Sequence, residues 1–119
     1  MTEEAVAGRR ILIVEDEFFV ADSLSMYLES LEAVVVGPVA SVGAALDLIA
    51  ATERLDGAVL DVNLRGERAF PVAEALTARG VPVVLVTGYG AEAIPEEFSS
   101  IPRCTKPFKL DELVLLLCR

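Results

Sequence analysis

Polar side chains end four of the five short aliphatic stretches in this sequence. Glu15 and Asp16 follow the first stretch, Asp61 the third, Thr87 the fourth and Lys106 the fifth. Carboxylate ligands without histidine favour a hard cation, Mg²⁺ or Mn²⁺, which can also bind phosphate oxygens. In such a site Asp61 would be the nucleophile that forms an aspartyl phosphate. The metal and Lys106 would neutralise the transferring phosphoryl group, and the Thr87 hydroxyl would donate a hydrogen bond to it.

Each of these residues also has a purely structural interpretation. Asp61 alone is equally well explained as a turn or helix-capping aspartate. Glu15 and Asp16 could be first-turn acids that complement a helix dipole. Thr87 could be a capping residue, and Lys106 a solvated lysine. The functional interpretation therefore depends on all five residues meeting in one place.

The elements that must position these side chains alternate strictly between strand and helix. Strands are predicted over 9–14, 34–36, 58–61, 81–86 and 102–105, and helices over 17–31, 42–52, 68–79, 91–98 and from about 111 onward. The strands are short and aliphatic, and the helices are amphipathic. This pattern predicts an α/β fold of the (βα)5 type, a doubly wound five-stranded parallel sheet with helices on both faces. In that fold the strand ends meet at one edge of the sheet.

Local signals indicate several element boundaries. Gly37-Pro38 is predicted to end the second strand, and Ser41 to cap the helix that follows. Gly80 is predicted at the C-cap of the third helix. In the first helix, Phe18 belongs to the apolar positions that recur at helical spacing, and Glu17 is interpreted as a helix-start acid.

The composition limits the classes of protein. The 119 residues suffice for one domain with an aliphatic core, since 54% are hydrophobic and only 6% aromatic. Residues 1–8 are predicted to be a flexible lead, and no output domain is expected. No apolar run approaches the roughly 18 residues that span a bilayer. The start lacks the features of a signal peptide, and the two cysteines lack metal-ligand or disulfide spacing, so a cytoplasmic location is expected.

Charge and the absence of histidine narrow the choice of partners. A net charge of −9 disfavours nucleic acid and anionic membranes as direct partners. The sequence contains no histidine, which excludes Ser-His-Asp and Cys-His catalysis and histidine-ligated metals. Any phosphohistidine in the chemistry must therefore belong to a partner protein.

Four segments resemble, in order and along nearly the whole chain, the signatures of response-regulator receiver domains. They are Val14-Glu15-Asp16-Glu17, Leu60-Asp61-Val62-Asn63, Val86-Thr87-Gly88 and Thr105-Lys106-Pro107-Phe108. The resemblance implies a CheY-like, flavodoxin-like sheet with strand order 2-1-3-4-5. It also implies that Asp61 is the phosphoacceptor and that the Lys106-Pro107 peptide bond is cis.

The same resemblance implies a role for each polar residue at the strand ends. Asp16 would bind the metal directly, together with Asp61, while Glu15 would act on it through water. The backbone carbonyl of Asn63 would be a further metal ligand. Thr87 and Lys106 would hold the phosphoryl group.

Two features differ from the common receiver pattern. Arg103 stands three residues before the lysine, where receivers usually carry a Phe or Tyr that swings inward on phosphorylation. Together with this feature, the segment Val86-Thr87-Gly88-Tyr89-Gly90 resembles the FATGUY subclass, often found as stand-alone regulators or in general stress signalling. We predict that residues 88–98 are mobile and become ordered on phosphorylation, with Tyr89 moving. Tyr89, Arg103 and Pro107 form the predicted switch and partner surface.

The function implied is that of a single-domain response regulator in two-component or phosphorelay signalling. Asp61 would accept a phosphoryl group from a sensor histidine kinase or a histidine phosphotransfer protein. The domain would catalyse only its own phosphorylation and dephosphorylation. A downstream protein target is expected, and the chain would be a monomer or a weak homodimer.

Three alternatives remain open. A small phosphatase of the haloacid-dehalogenase type uses an Asp-x-Asp motif, which Asp61-Val62-Asn63 approaches, but Asn63 replaces the acid–base aspartate. A flavodoxin-like binding module would share the strand order, but the acidic Glu15-Asp16-Glu17 would repel a flavin phosphate. A degenerate receiver would serve only as a protein-interaction surface, and the complete set of site residues argues against it.

Overall fold

Five parallel strands form the central sheet within residues 3–88 and 94–118, which the computed structural model describes. They are β1 (Arg10–Val14), β2 (Val34–Val39), β3 (Gly57–Asp61), β4 (Val83–Thr87) and β5 (Arg103–Thr105). Their spatial order is β2-β1-β3-β4-β5, which confirms the predicted order 2-1-3-4-5. Because all neighbouring pairs are parallel, the carboxyl ends of the strands lie at one edge of the sheet.

Helices cover both faces of this sheet. They are α1 (Phe18–Ser30), α2 (Val42–Ala51), α3 (Phe70–Ala78) and α4 (Leu110–Leu117). The apolar sides of α2 and α3 share one hydrophobic cluster, and those of α1 and α4 share the other. Successive strand residues point to opposite faces. In β1, Leu12 and Val14 join the α2–α3 cluster, whereas Ile11 and Ile13 join the α1–α4 cluster. This two-sided burial explains why the three central strands, β1, β3 and β4, are almost entirely aliphatic.

Two predicted element boundaries, at Ser41 and Gly80, are confirmed by the local structure. Ser41 caps α2, since its side-chain oxygen accepts a hydrogen bond from the Ala44 amide at 3.1 Å. Gly80 follows α3 with a φ of 71°, a left-handed conformation that glycine adopts without a steric penalty. Asp56 accepts a hydrogen bond from the Arg10 amide at 2.8 Å, which ties the loop before β3 to the start of β1.

The prediction that β2 ends at Gly37-Pro38 is wrong. The strand continues to Val39, which pairs with Val14 after a shift in register, and the Gly37-Pro38 peptide bond is cis. Proline has no amide hydrogen to donate. It is tolerated here because β2 is an edge strand, so one side of its backbone forms no hydrogen bonds within the sheet.

Phe18, one of the apolar positions that recur at helical spacing, does not reach the core. Phe18 is 73% exposed, because Ala21, Leu24 and Leu28 form the buried face of this helix. The neighbouring Phe19 is 82% exposed, and the two rings make an edge-to-face contact.

Two segments outside the sheet contain short 3₁₀ helices. Glu3–Val6 forms one of them, and Val6 is fully buried in the α1–α4 cluster, whereas the sequence predicts a flexible lead there. Glu96–Phe98 forms the other, between β4 and β5, and the Phe98 ring stacks on Phe70. Residues 91–93 of the helix predicted over 91–98 lie outside the described residues. No helix in the part of the chain that the structure describes has the length and apolar character needed to cross a membrane.

Candidate functional site

Asp61 is the last residue of β3, at the edge of the sheet where the chain leaves the core. It is only 5% exposed. Two donors orient its carboxylate: the Asn63 amide lies 2.9 Å from Oδ1, and Lys106 Nζ lies 3.0 Å from Oδ2. The carboxylate is therefore held in one orientation while it still lines an open cleft.

Glu15 and Asp16 follow β1 and bring two more carboxylates to the same point. Glu15 is 5% exposed and accepts a hydrogen bond from the Glu17 amide at 3.0 Å. Asp16 is half-buried and accepts a hydrogen bond from the Arg65 amide at 2.9 Å. One oxygen from each of Glu15, Asp16 and Asp61 lies within 4.8 Å of the others. Three oxygen ligands at this spacing could hold one hard divalent cation.

A short hairpin after β3 supplies the amide that holds Asp16. Asn63–Leu64 pairs with Glu67–Arg68, and Arg65 and Gly66 form the turn with φ values of 53° and 89°. Positive φ at both central residues is typical of a type I′ turn. Asn63 Oδ1 accepts a hydrogen bond from the Gly66 amide at 2.7 Å, which stabilises this turn. The candidate nucleophile and the support of Asp16 thus belong to one continuous segment.

Lys106 follows β5 and reaches back to the carboxylates. Its amide donates to the Thr87 carbonyl at 2.9 Å, and the Lys106-Pro107 peptide bond is cis, as the resemblance implies. Among the described residues, Nζ contacts three carboxylates: Glu17 Oε1 at 2.6 Å, Glu15 Oε1 at 3.0 Å and Asp61 Oδ2 at 3.0 Å. Lys106 therefore connects the end of β5 with the ends of β1 and β3.

Burial and like charge perturb the ionisation of this cluster. Burial raises the pKa of Glu15 to about 7; the hydrogen bond from the Glu17 amide opposes the rise, and Asp61 adds to it. Burial acts to lower the pKa of Lys106, but hydrogen bonds to Glu17, Asp61 and Glu15 outweigh it and raise that pKa, so Lys106 stays charged. With Asp16 included, the carboxylates outnumber the Lys106 ammonium. This excess of negative charge favours a bound cation.

Thr87 ends β4 and is 3% exposed, but its hydroxyl is directed toward β5. It lies 3.4 Å from the Cys104 carbonyl and 3.3 Å from the Thr105 hydroxyl, both long hydrogen bonds. To reach a group on Asp61, the hydroxyl would have to leave these partners. Cys104 is half-buried, because β5 is an edge strand.

Two of the predicted switch and partner residues, Arg103 and Pro107, do not line this cleft. Arg103 begins β5 with its side chain exposed, and one guanidinium nitrogen donates to the Ser99 carbonyl at 3.0 Å. Pro107 is exposed and lines an apolar groove of about 590 Å³ together with Phe19 and Phe108. Tyr89 lies outside the described residues, so its movement stays a prediction.

A cleft of about 260 Å³ opens beside the carboxylates. It is lined by Asp16, Glu17, Asp61, Asn63, Arg65, Gly66, Gly88 and Lys106. A water molecule occupies roughly 30 Å³ in the liquid, so the cleft has room for a cation, a phosphoryl group and water.

Glu17 and Arg65 line this cleft although the sequence did not indicate them as site residues. Glu17 is the third of three consecutive acids, but its place at the start of α1 favours the interpretation as a helix-start acid. The structure shows no side-chain capping hydrogen bond from Glu17. Arg65 contributes its backbone amide to Asp16, a contact that no side-chain pattern could have indicated.

Comparison with known proteins gives one consistent family. The family model for the response regulator receiver domain matches residues 11–117. The solution structure of SdrG from Sphingomonas melonis Fr1 is 41% identical, with a TM-score of 0.79 over 96% of this chain and 97% of that chain. The BeF3-activated conformation of SdrG from Pseudomonas melonis Fr1 is 40% identical, with a TM-score of 0.77 over 95% and 98%.

A third structure extends the comparison to a longer protein. The crystal structure of the response regulator PhyR from Brucella abortus is 26% identical, with a TM-score of 0.76. The match covers 98% of this chain but only 49% of the PhyR chain. Among curated proteins, the comparison found no significant match.

Proposed function

Because the chain belongs to the response regulator receiver family, we propose that Asp61 accepts a phosphoryl group from a phosphohistidine of a partner kinase or phosphotransfer protein. One observation carries the proposal: the Asp61 carboxylate is almost buried, is oriented by the Asn63 amide and Lys106, and lies beside two further carboxylates. The sequence contains no histidine, so the phosphohistidine must lie on another molecule.

The transfer proposed is a substitution at phosphorus. An oxygen of the Asp61 carboxylate forms a bond to phosphorus while the P–N bond to the donor imidazole breaks. The electron pair of that bond remains on the imidazole nitrogen, and the product is an aspartyl phosphate. Attack of water on the same phosphorus releases inorganic phosphate and restores the carboxylate. The domain would catalyse only these steps on itself.

Mg²⁺ or Mn²⁺ fits the donor set, because carboxylate oxygens from three residues converge. Their combined negative charge exceeds the positive charge of the Lys106 ammonium. Asp16 and Asp61 would bind the ion directly, Glu15 through water, and the Asn63 carbonyl would complete the protein ligands. The bound ion would supply positive charge to the oxygens of the transferring phosphoryl group.

Lys106 and Thr87 would hold the phosphoryl group once it is on Asp61. Lys106 Nζ already lies 3.0 Å from Asp61 Oδ2, so a short movement would bring it to a phosphoryl oxygen. The Thr87 hydroxyl would exchange its long contacts with Cys104 and Thr105 for a hydrogen bond to the same group. The relative SdrG, of which a BeF3-activated conformation is known, supports a response of this kind, since beryllofluoride imitates a phosphoryl group.

Phosphorylation with a small donor tests the proposal directly. Wild-type protein, Asp61→Asn and Asp22→Asn would be incubated with radiolabelled acetyl phosphate and Mg²⁺. Asp22 is exposed on α1, so its variant controls for the loss of one carboxylate. We expect metal-dependent, hydroxylamine-sensitive label on wild type and on Asp22→Asn, and none on Asp61→Asn. Label that persists in Asp61→Asn would contradict the assignment.

A further inference from the structure

Glu17 forms an ion pair with Lys106 that the proposed phosphoryl transfer to Asp61 does not require. Its Oε1 lies 2.6 Å from Lys106 Nζ, closer than the oxygens of Glu15 and Asp61 at 3.0 Å. An ammonium group has three N–H donors, and in the described structure three carboxylates surround it. An oxygen of an incoming phosphoryl group can therefore bind Lys106 only after one carboxylate withdraws.

Exposure decides which carboxylate can withdraw. The side chains of Glu15 and Asp61 are 3% and 6% exposed, so their withdrawal from Lys106 would leave a buried charge unpaired. The Glu17 side chain is 60% exposed and can rotate away from Lys106 into the solvent at a small cost in free energy.

Helix α1 does not use the Glu17 side chain as a cap. Glu17 is the N-cap residue, yet its carboxylate makes no capping hydrogen bond. It lies at the mouth of the site, where it lines both the acidic cleft and the neighbouring apolar groove. A donor that approaches Asp61 from this side meets the Glu17 carboxylate first.

We propose that Glu17 is a competing counter-ion, which must leave Lys106 before a phosphoryl group can bind and which thereby weakens the reaction of Asp61 with small dianionic phosphodonors. The inference rests on the proposed phosphorylation of Asp61 and adds a specificity-determining residue to it. Removal of the competing carboxylate should lower the half-saturating donor concentration about two- to fivefold, the range for one exposed ion pair. The maximal rate should change less, because a saturating donor has already displaced Glu17.

Two variants of Glu17 distinguish direct competition from a general effect of charge. Glu17→Gln removes the charge and keeps the size of the side chain. Glu17→Asp keeps the charge but shortens the side chain. An aspartate at an N-cap can accept hydrogen bonds from the backbone amides of the first helical turn. Direct competition predicts that both variants release Lys106. Asp22→Asn, on the exposed face of the same helix, controls for net charge.

Initial rates with acetyl phosphate, at saturating Mg²⁺, give the half-saturating concentration and the maximal rate of each variant. Beryllofluoride titrations followed by amide NMR shifts give a binding constant that does not depend on catalysis. We expect both Glu17 variants to bind acetyl phosphate and beryllofluoride more tightly, and Asp22→Asn to match wild type. Unchanged binding in the Glu17 variants, a wild-type result for Glu17→Asp, or an equal gain in Asp22→Asn would each overturn the inference. Wild-type protein that takes no label at all would instead refute the proposed function.

Discussion

Replacing Glu15 with glutamine is expected to stabilise the metal-free protein at alkaline pH. The wild-type carboxyl is buried, and burial together with Asp61 raises its pKa from 4.5 to about 7. Because a pKa difference of one is worth about 1.4 kcal/mol, the ionised carboxylate makes the fold less stable by about 3 kcal/mol. Glutamine can still accept hydrogen bonds from the Glu17 amide and from Lys106, so the substitution removes the charge with little loss of contacts.

The direction of the pH dependence follows from proton binding. Between pH 4.5 and about 7, the folded protein holds a proton on Glu15 that the unfolded chain has already released. The contribution of Glu15 to stability is therefore fully present below pH 4.5 and is lost as the pH rises through about 7. The glutamine variant does not titrate at this position and lacks this decline.

Urea unfolding in the presence of EDTA, followed by circular dichroism at pH 5 and pH 8, measures the effect. The advantage of Glu15→Gln over wild type should grow between these two conditions by an amount on the order of 2–3 kcal/mol. Glu29→Gln, at an exposed position of α1, is the matched control and should keep a constant difference from wild type. Parallel pH profiles for wild type and Glu15→Gln would refute the reasoning.

Two further pairs of variants test the supports of the site. Lys106→Met should destabilise the metal-free protein by about 3 kcal/mol in urea unfolding, because the buried carboxylates of Glu15 and Asp61 would lose their counter-ion. The control Lys109→Met, at an exposed position, should change stability by less than about 0.5 kcal/mol. Equal effects of the two substitutions would contradict the role of the ion pairs. Gly66→Ala should destabilise the protein by about 1 kcal/mol, because the φ of Gly66 is 89°. Gly43→Ala, in α2 with equally open space around it, should stabilise the protein by up to about 1 kcal/mol. Thermal unfolding midpoints that shift in the same direction for both variants would rule out backbone conformation as the cause.

Much of the fold could be predicted because its signals are local. The aliphatic runs and helical periodicity predict five strands in order, and parallel pairing then brings their carboxyl ends together. The sequence predicts the caps at Ser41 and Gly80 correctly because capping depends on neighbouring residues. The prediction failed at Pro38, where the position of β2 at the sheet edge outweighs the usual effect of proline on a strand. Periodicity alone also does not tell which apolar residues at the start of a helix reach the core, and the structure shows that Phe18 does not.

Some features of the candidate site also follow from the sequence, and others depend on the tertiary structure. The sequence by itself determined the fold class, the family and the convergence of Asp61 with Glu15 and Asp16, since strand-end residues of a parallel sheet share one edge. The tertiary structure alone decided which partner each charged group takes. Glu17 pairs with a lysine 89 residues away, and the Arg65 amide reaches Asp16 through a turn. Such contacts depend on side-chain reach and backbone direction in three dimensions, and no residue spacing along the chain encodes them.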